Sequence, residues 1–282
     1  MNFPILVPPL ETQKNIADFL DEKTKVIDEL IAKKEKMIEL LREKRAALIT
    51  HAVTKGLDPK AKMKPSGIDW LGDIPEESEL FKLRHLGKFT ASGIDKIIKD
   101  SENPVKIINY TDVYKAQKFI LRNKEYMVVT ATPEKVKQHQ VDIGDLIFTP
   151  SSEVIEEIGL SALVDEKMEN TAFSYHVLRF QFDSRIKINH NFKKYLANNF
   201  FTLTQFSSRA TGSIRKTLSR NDFKEVEVLL PKMEMQEKIA LFLDRQIDIA
   251  DNVVSHIESQ IDQLKEYRSS LIYSAVTGKI KV

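Results

Sequence analysis

Apolar residues early in the chain recur at alternating three- and four-residue steps: Ile27, Leu30, Met37, Leu41 and Leu48, with Lys34 and Lys44 at intervening positions. Spacing that averages 3.5 residues is the seam of a coiled coil, so the pattern predicts one long helix. The same ladder returns near the other end as Ala250, Val253, Ile257, Gln260, Leu264, Tyr267 and Leu271. Polar seam residues Lys34, Lys44 and Gln260 weaken a uniform zipper and help fix its register. Pro8-Pro9 and Pro231 mark the helix starts, and Gly56 and Gly278 sit just past the ends.

The two ladders are copies of one unit. Pro8-Pro9-Leu10-Glu11-Thr12-Gln13 matches Pro231-Lys232-Met233-Glu234-Met235-Gln236, a shift of 223 positions from Gln13 to Gln236. Without a gap, Ile16-Ala17 falls on Ile239-Ala240, and Phe19-Leu20-Asp21 on Phe242-Leu243-Asp244. Both copies close on Ala-Val-Thr, at Ala52-Val53-Thr54 and Ala275-Val276-Thr277. A single such helix would be read as part of any bundle. Two matched copies flanking a large insert favour a paired-helix spacer that brings the ends of the insert together.

Between the helices the pattern changes. Residues 57–79 form a connector whose glycines and prolines exclude a long helix, and Trp70, Leu71 and Ile74 suggest an anchored segment. From 80 to 230 short strands are expected at Val105–Asn109, Tyr126–Thr130, Asp145–Thr149, Leu160–Val164, Tyr175–Phe182 and Val226–Leu230. One amphipathic helix is expected at Asn191–Phe206. With no crossover repeat, the insert reads as an α+β domain, giving four segments: 1–56, 57–79, 80–230 and 231–282.

Composition narrows the chemistry. A chain of 282 residues, 30% charged and without cysteine, excludes disulfides, thiolate metal sites and cysteine nucleophiles. The apolar start, Met1 to Pro9, is too short and proline-rich for a signal peptide and lacks a basic leader, so a cytoplasmic location is expected. A formal net charge of +2 requires any polyanion-binding residues to be clustered. No phosphate loop or glycine-rich dinucleotide fingerprint is present, and the six histidines show no metal-ligand spacing. His176, near Ser174, reads as a packed or hydrogen-bonded strand histidine. No catalytic or metal-binding constellation emerges.

The insert does hold a run of hydrogen-bond donors. Arg209-Ala210-Thr211-Gly212-Ser213-Ile214-Arg215-Lys216-Thr217-Leu218-Ser219-Arg220 carries four basic residues and no acid. Gly212 permits close backbone approach, and the hydroxyls can reach phosphates or base edges. Further polar loops hold Ser151 and Ser152, and Lys115 and Lys118, with Arg122 and Lys124 beyond. Each loop taken alone is also an ordinary solvated surface. The residues selected for DNA contact are Arg209, Thr211, Ser213, Arg215, Lys216, Arg220, Ser151, Ser152, Lys115 and Lys118.

The chain resembles the DNA-specificity subunit of type I restriction–modification systems, in particular its second half. The resemblance is carried by residues 8–13 and 16–21, by Leu48-Ile49-Thr50-His51-Ala52-Val53-Thr54-Lys55-Gly56-Leu57 and by Ser66-Gly67-Ile68-Asp69-Trp70-Leu71-Gly72-Asp73-Ile74-Pro75. Gly144-Asp145-Leu146-Ile147-Phe148-Thr149 and Gly212-Ser213-Ile214-Arg215-Lys216-Thr217-Leu218 complete it. It implies a non-catalytic target recognition domain that binds double-stranded DNA, flanked by conserved helices pairing as an antiparallel coiled coil. It also implies docking of modification subunits, which hold S-adenosylmethionine and methylate adenine, and association with a restriction/translocase subunit. The seam expected to carry assembly is Ile27, Leu30, Met37, Leu41, Leu48, Val253, Ile257, Leu264 and Leu271. A full subunit carries a further recognition domain ahead of the first helix, so the resemblance leaves two readings of this chain, a natural half-subunit or a truncated or rearranged gene product. A half-subunit could pair with a second copy as a homodimer about a two-fold axis and read an interrupted palindrome. The competing readings are an assembly protein that has lost DNA reading, and an enzyme acting alone.

Overall fold

The computed structural model describes Val7–Val282; residues 1–6, and with them most of the apolar start, lie outside the described residues. The helices are α1 (Leu10–Lys55), α2 (Leu83–Leu86), α3 (Tyr110–Tyr114), α4 (Pro133–His139), α5 (Lys193–Ala197), α6 (Phe200–Arg209), α7 (Arg220–Glu225) and α8 (Met233–Val276). The strands begin with β1 (Met63–Pro65), β2 (Asp73–Pro75), β3 (Glu79–Lys82), β4 (Gly87–Ala91), β5 (Asn103–Ile108), β6 (Ile120–Leu121) and β7 (Met127–Ala131). They continue with β8 (Leu146–Phe148), β9 (Ser151–Ser152), β10 (Ser161–Val164), β11 (Thr171–Phe173), β12 (Leu178–Phe182), β13 (Lys216–Thr217) and β14 (Glu227–Leu230). The α+β class is therefore observed. The chain divides into two compact units, residues up to Arg45 with Gln246–Val282, and Ala46–Arg245. The division runs inside both long helices, so the connector and one end of each helix fall within the second unit.

Both long helices start and stop on repeated chemistry. The Gln13 side chain donates to the Pro8 carbonyl at 2.7 Å, and its counterpart Gln236 donates to the Pro231 carbonyl at 2.8 Å. Each helix is followed by a glycine in the left-handed region, Gly56 at φ +79° and Gly278 at φ +71°, the usual way to turn a chain out of a helix.

In the first unit the helices run antiparallel. Asp28 pairs with Arg268 at 2.9 Å, Lys34 donates to Gln260 at 2.6 Å, and Arg45 pairs with Asp251 at 3.0 Å, so numbers fall on one helix as they rise on the other. Asp28 and Asp251 are repeat equivalents, as are Arg45 and Arg268. The two ion pairs are thus one contact written twice about a local two-fold axis. Half-exposed pairs of this kind add little strength and chiefly discriminate between registers.

Burial comes from Ile38, Ile257 and Ile261, flanked by Ile31, Leu41 and Val254. The expected seam is corrected here. Ile27 and Ile257 are buried and Leu41, Leu48, Leu264 and Leu271 half-buried, but Leu30, Met37 and Val253 are exposed. The ladder runs 27, 31, 34, 38, 41 rather than 27, 30, 34, 37, 41. Both phases share every other rung. The observed phase turns Ile31, Ile38, Val254 and Ile261 inward, β-branched in both copies, and leaves the mismatched Met37 and Gln260 pair off the centre.

In the second unit a five-stranded sheet has the order β4-β12-β8-β10-β6, antiparallel except for the β10–β6 edge. A three-stranded sheet, β11-β5-β7, shares a core with it, Ile108 and Phe173 clustering with Ile147, Ala162 and Val164. Phe89, Phe148, Phe180, Phe206 and Phe223 are all buried, with ring centroids from 4.5 Å (Phe89–Phe180) to 6.5 Å (Phe148–Phe180). Strands β3 and β14 pair antiparallel, Glu79 opposite Leu230 and Lys82 opposite Glu227, which closes the insert on itself. Of the connector, β1 and β2 form a hairpin, and Leu71 and Ile74 are buried with Phe201 and Leu229. Trp70 is itself exposed but rests against Phe201, with centroids 5.1 Å apart.

The six expected strands are present, the fifth shortened to Leu178–Phe182. The single helix expected at Asn191–Phe206 is instead two, α5 and α6, broken at Asn198-Asn199. Asn199 is extended (φ −120°, ψ 159°) and accepts from the Thr202 amide as N-cap of α6. Asn198 turns inward, accepting from the Ser161 amide at 2.9 Å and donating to the Ser161 carbonyl at 2.9 Å. The break therefore replaces helix hydrogen bonds with buried side-chain ones. Asn198→Ala leaves those groups unpaired and is expected to cost about 2–4 kcal/mol in urea unfolding. A loss within about 0.5 kcal/mol, the range of an ordinary surface change, would show that the break is not held this way.

Candidate nucleic-acid interface

Helix α6 ends at Arg209, and the chain then makes a narrow turn. The Thr211 amide donates to the Thr217 carbonyl at 3.0 Å, and the Thr217 amide returns a bond to the Thr211 carbonyl at 2.8 Å. Gly212 lies at φ +106°, where a Cβ would run into the Arg215 carbonyl, so the turn needs glycine. Lys216 Nζ donates back to the Gly212 carbonyl at 2.7 Å. On its other side β13 pairs with β9, Lys216 opposite Ser152 and Thr217 opposite Ser151. The Leu218 amide extends the ladder to the Pro150 carbonyl at 2.9 Å. Two loops some 65 residues apart in sequence are thereby made into one surface.

Arg215 is the best positioned of the selected residues. Its Nε donates to Ser151 Oγ at 3.0 Å, and its guanidinium lies 5.6 Å from the Tyr110 ring centroid. Glu153 is 4.0 Å away, a loose contact that leaves the arginine exposed. Tyr110 stacks on Tyr114 with centroids 5.8 Å apart and planes 14° from parallel, and Tyr114 donates to Glu157 at 2.8 Å. Helix α3 thus runs from the ring beneath Arg215 to its C-cap, Lys115.

The other selected residues separate. Thr211 and Ser213 are exposed on the turn. Arg220 is exposed at the start of α7, which Ser219 and Asp222 cap reciprocally. Arg209 folds back to the Gln205 carbonyl at 2.9 Å and is half-buried. Ser152 is corrected: it is buried, and its hydroxyl accepts from the Val154 amide at 3.1 Å, so it supports the turn and offers nothing outward. Lys115 and Lys118 line a separate surface depression of about 410 Å³ with Arg122, Lys124 and Asp112. Lys118 and Phe119 are both left-handed, at φ 54° and 58°, a conformation uncommon for such residues.

Several residues of this surface escaped the sequence reading. Tyr175 and His176 are exposed, with ring centroids 3.8 Å apart, so His176 is not the packed strand histidine expected. Partial burial, then Lys96 and Arg215, hold the His176 imidazole below its ordinary value. Tyr110 and Tyr114 carried the signal of an i, i+4 aromatic pair, but nothing local tied them to Arg215. Among the described residues no group of three or more His, Cys, Asp or Glu side chains is placed to hold a metal ion. No helix among them is long and apolar enough to cross a membrane.

The sequence profile described as "Type I restriction modification DNA specificity domain" matches residues 75–263. The chain is 27% identical over its whole length to the MjaVIII specificity subunit of a type I restriction enzyme from Methanocaldococcus jannaschii, covering 63% of that subunit. A chain from a solved assembly of a type I R-M system superposes with a TM-score of 0.68 at 12% identity, over 96% of this chain and 60% of that one. The HsdS subunit from Thermoanaerobacter tengcongensis gives 0.51 at 12% identity, over 98% and 61%. The chain therefore spans about three-fifths of the length of the curated relative and solved structures it matches.

The cations around His176 make a direct test of this geometry. In Arg215→Ala, followed by NMR titration, the His176 midpoint should rise toward 6.5, because removing a neighbouring positive charge eases protonation. An unmoved midpoint would place the guanidinium elsewhere in solution.

Proposed function

Since the chain belongs to the type I restriction modification DNA specificity domain family, we propose that it reads double-stranded DNA sequence-specifically through the turn at Thr211–Thr217 and the adjoining residues Ser151 and Tyr110. The observation that carries this is Arg215, exposed yet held by Ser151 on one side and an aromatic face on the other. A guanidinium fixed before contact loses less freedom on binding, and its fork matches the O6 and N7 edge of guanine. Thr211, Ser213 and Lys216 share its turn as phosphate or base-edge donors, and Arg220 on α7 with Lys115 and Lys118 in the separate depression supply further cations.

The chemistry then lies with partners. Modification subunits would hold S-adenosylmethionine and methylate adenine, and a restriction subunit would translocate and cut, all in the cytoplasm. The exposed Leu30, Met37 and Val253 are available on the paired helices for docking them. A second reader is supplied by another copy of this chain, and the site is then an interrupted palindrome.

Three measurements test this. The chain combined with its modification subunit and S-adenosylmethionine should methylate adenine within one defined sequence in genome-sized DNA. A reader making about five phosphate contacts should show a log–log salt slope near −4 to −5. A palindromic methylated motif supports the two-fold pair, and an asymmetric one removes it. Complete absence of sequence preference, with the modification subunit still bound, would leave only an assembly role. Arg215→Ala should weaken specific binding by about 1–3 kcal/mol, measured as a ratio of dissociation constants. Unchanged affinity and unchanged preference would take Arg215 out of the interface.

A further inference from the structure

The turn that presents Arg215 also presents Ile214, which is 89% exposed, more than any other large apolar side chain among the described residues. Isolated exposed apolar residues are common and need no explanation. Ile214 differs in how it is held. It stands at the apex of a turn pinched by the paired Thr211 and Thr217 backbone bonds, locked inside by Lys216 to the Gly212 carbonyl, and tied to β9 by the β13 ladder. Its neighbour Arg215 is tethered to Ser151. The apex is therefore a short, stiff ribbon with a β-branched tip, flanked by Ser213 and two cations.

Nothing within the unit covers that tip, while its surroundings suit a polyanion. The apolar feature that duplex DNA offers a β-ribbon is the C5-methyl group of thymine in the major groove, which is about 12 Å wide and admits such a ribbon. Lysine and arginine beside the tip would take the phosphates and the neighbouring base edge, and the tip would take the methyl. We propose that Ile214 is a specificity-determining residue that contacts a thymine methyl group in the major groove, beside the base read by Arg215. This rests on the DNA-reading function proposed above and adds a thymine to what that function must recognise.

The test uses the chain with its modification subunit and a duplex carrying the mapped methylation sequence. Each thymine of that sequence is replaced in turn by deoxyuridine, which lacks only the C5-methyl. Affinity is measured for the natural chain, Ile214→Ala and Ile214→Val. One deoxyuridine position is expected to weaken the natural chain by about fourfold, the value of one buried methyl. The same duplex should cost Ile214→Ala nothing further, because its contact is already gone. On the natural duplex Ile214→Ala should lose about three- to tenfold in specific affinity, with Ile214→Val between, and non-specific affinity and the salt slope unchanged. Because the side chain is exposed, the thermal midpoints of all three should agree.

If the natural chain shows a sequence preference but every deoxyuridine duplex behaves alike in all three proteins, the thymine contact is overturned and DNA reading stands. Equal deoxyuridine penalties in the natural chain and Ile214→Ala would assign the methyl contact to another residue and overturn it as well. If Ile214→Ala instead loses the modification subunit at unchanged DNA affinity, the tip is a protein contact. No sequence preference in the natural chain removes the DNA-reading proposal and this inference together.

Discussion

The antiparallel ladder between β3 and β14 is the constraint on which the second unit depends. Pairing Glu79–Lys82 with Glu227–Leu230 places the first and last strands of the insert side by side. It turns about 150 residues into a closed loop whose two ends leave together, one leading back to α1 and one forward to α8. The entropy of closing such a loop grows only slowly with its length, so a four-residue ladder backed by buried Val228 and Leu229 can hold a large insert. The Leu83 amide adds a bond to the Val226 carbonyl at 2.9 Å, and the Phe223 ring beneath joins the aromatic core. The start of α8 is fixed to the same body through Asp244, which pairs with buried Lys194 at 2.7 Å and accepts from Tyr195 at 2.6 Å.

The long helices were legible because the sequence states them twice. A duplicated seam, duplicated starts and duplicated ends each repeat at one offset, and local propensity plays no part in that argument. The phase of the seam was less legible. A ladder of alternating steps has two solutions sharing Ile27, Lys34 and Leu41, and single-helix spacing cannot choose between Leu30 and Ile31. What selects Ile31 and Ile38 is the partner helix, where Val254 and Ile261 answer them. The break between α5 and α6 was hidden for a similar reason. Apolar spacing continues through Asn198-Asn199, and leaving the helix is favoured there by Ser161, which bonds Asn198, together with the Asn199 cap on Thr202. Among the candidate contacts, Arg215 and Ser151 were readable as donors, but their union depends on a two-residue ladder that no local pattern announces.

The surface around Arg215 shows how an interface is prepared before its ligand arrives. The glycine, the pinched threonines and the lysine folded onto the turn settle the backbone without using Arg215 itself. The arginine then rests on a serine and a tyrosine, both of which hold it in place while leaving its outer donors open. His176 feels that same charge, which ties the rim of the surface to its centre electrostatically. Ser152, inside the ladder, keeps the adjoining turn in shape by bonding Val154.

The doubled ion pair in the helices has a consequence for alignment. Suppose α8 slid along α1 by one heptad in either direction, a displacement of about 10 Å. Arg45 would still find an acid opposite it, Glu258 or Asp244, so a single lock at that end would tolerate the error. Asp28 would face Ala275 or Ile261 and find no cation. Of these three alignments only the observed one satisfies both ends. Against heptad slips the pair works as a vernier, two coarse scales that coincide at one mark, made by copying one helix and turning it round.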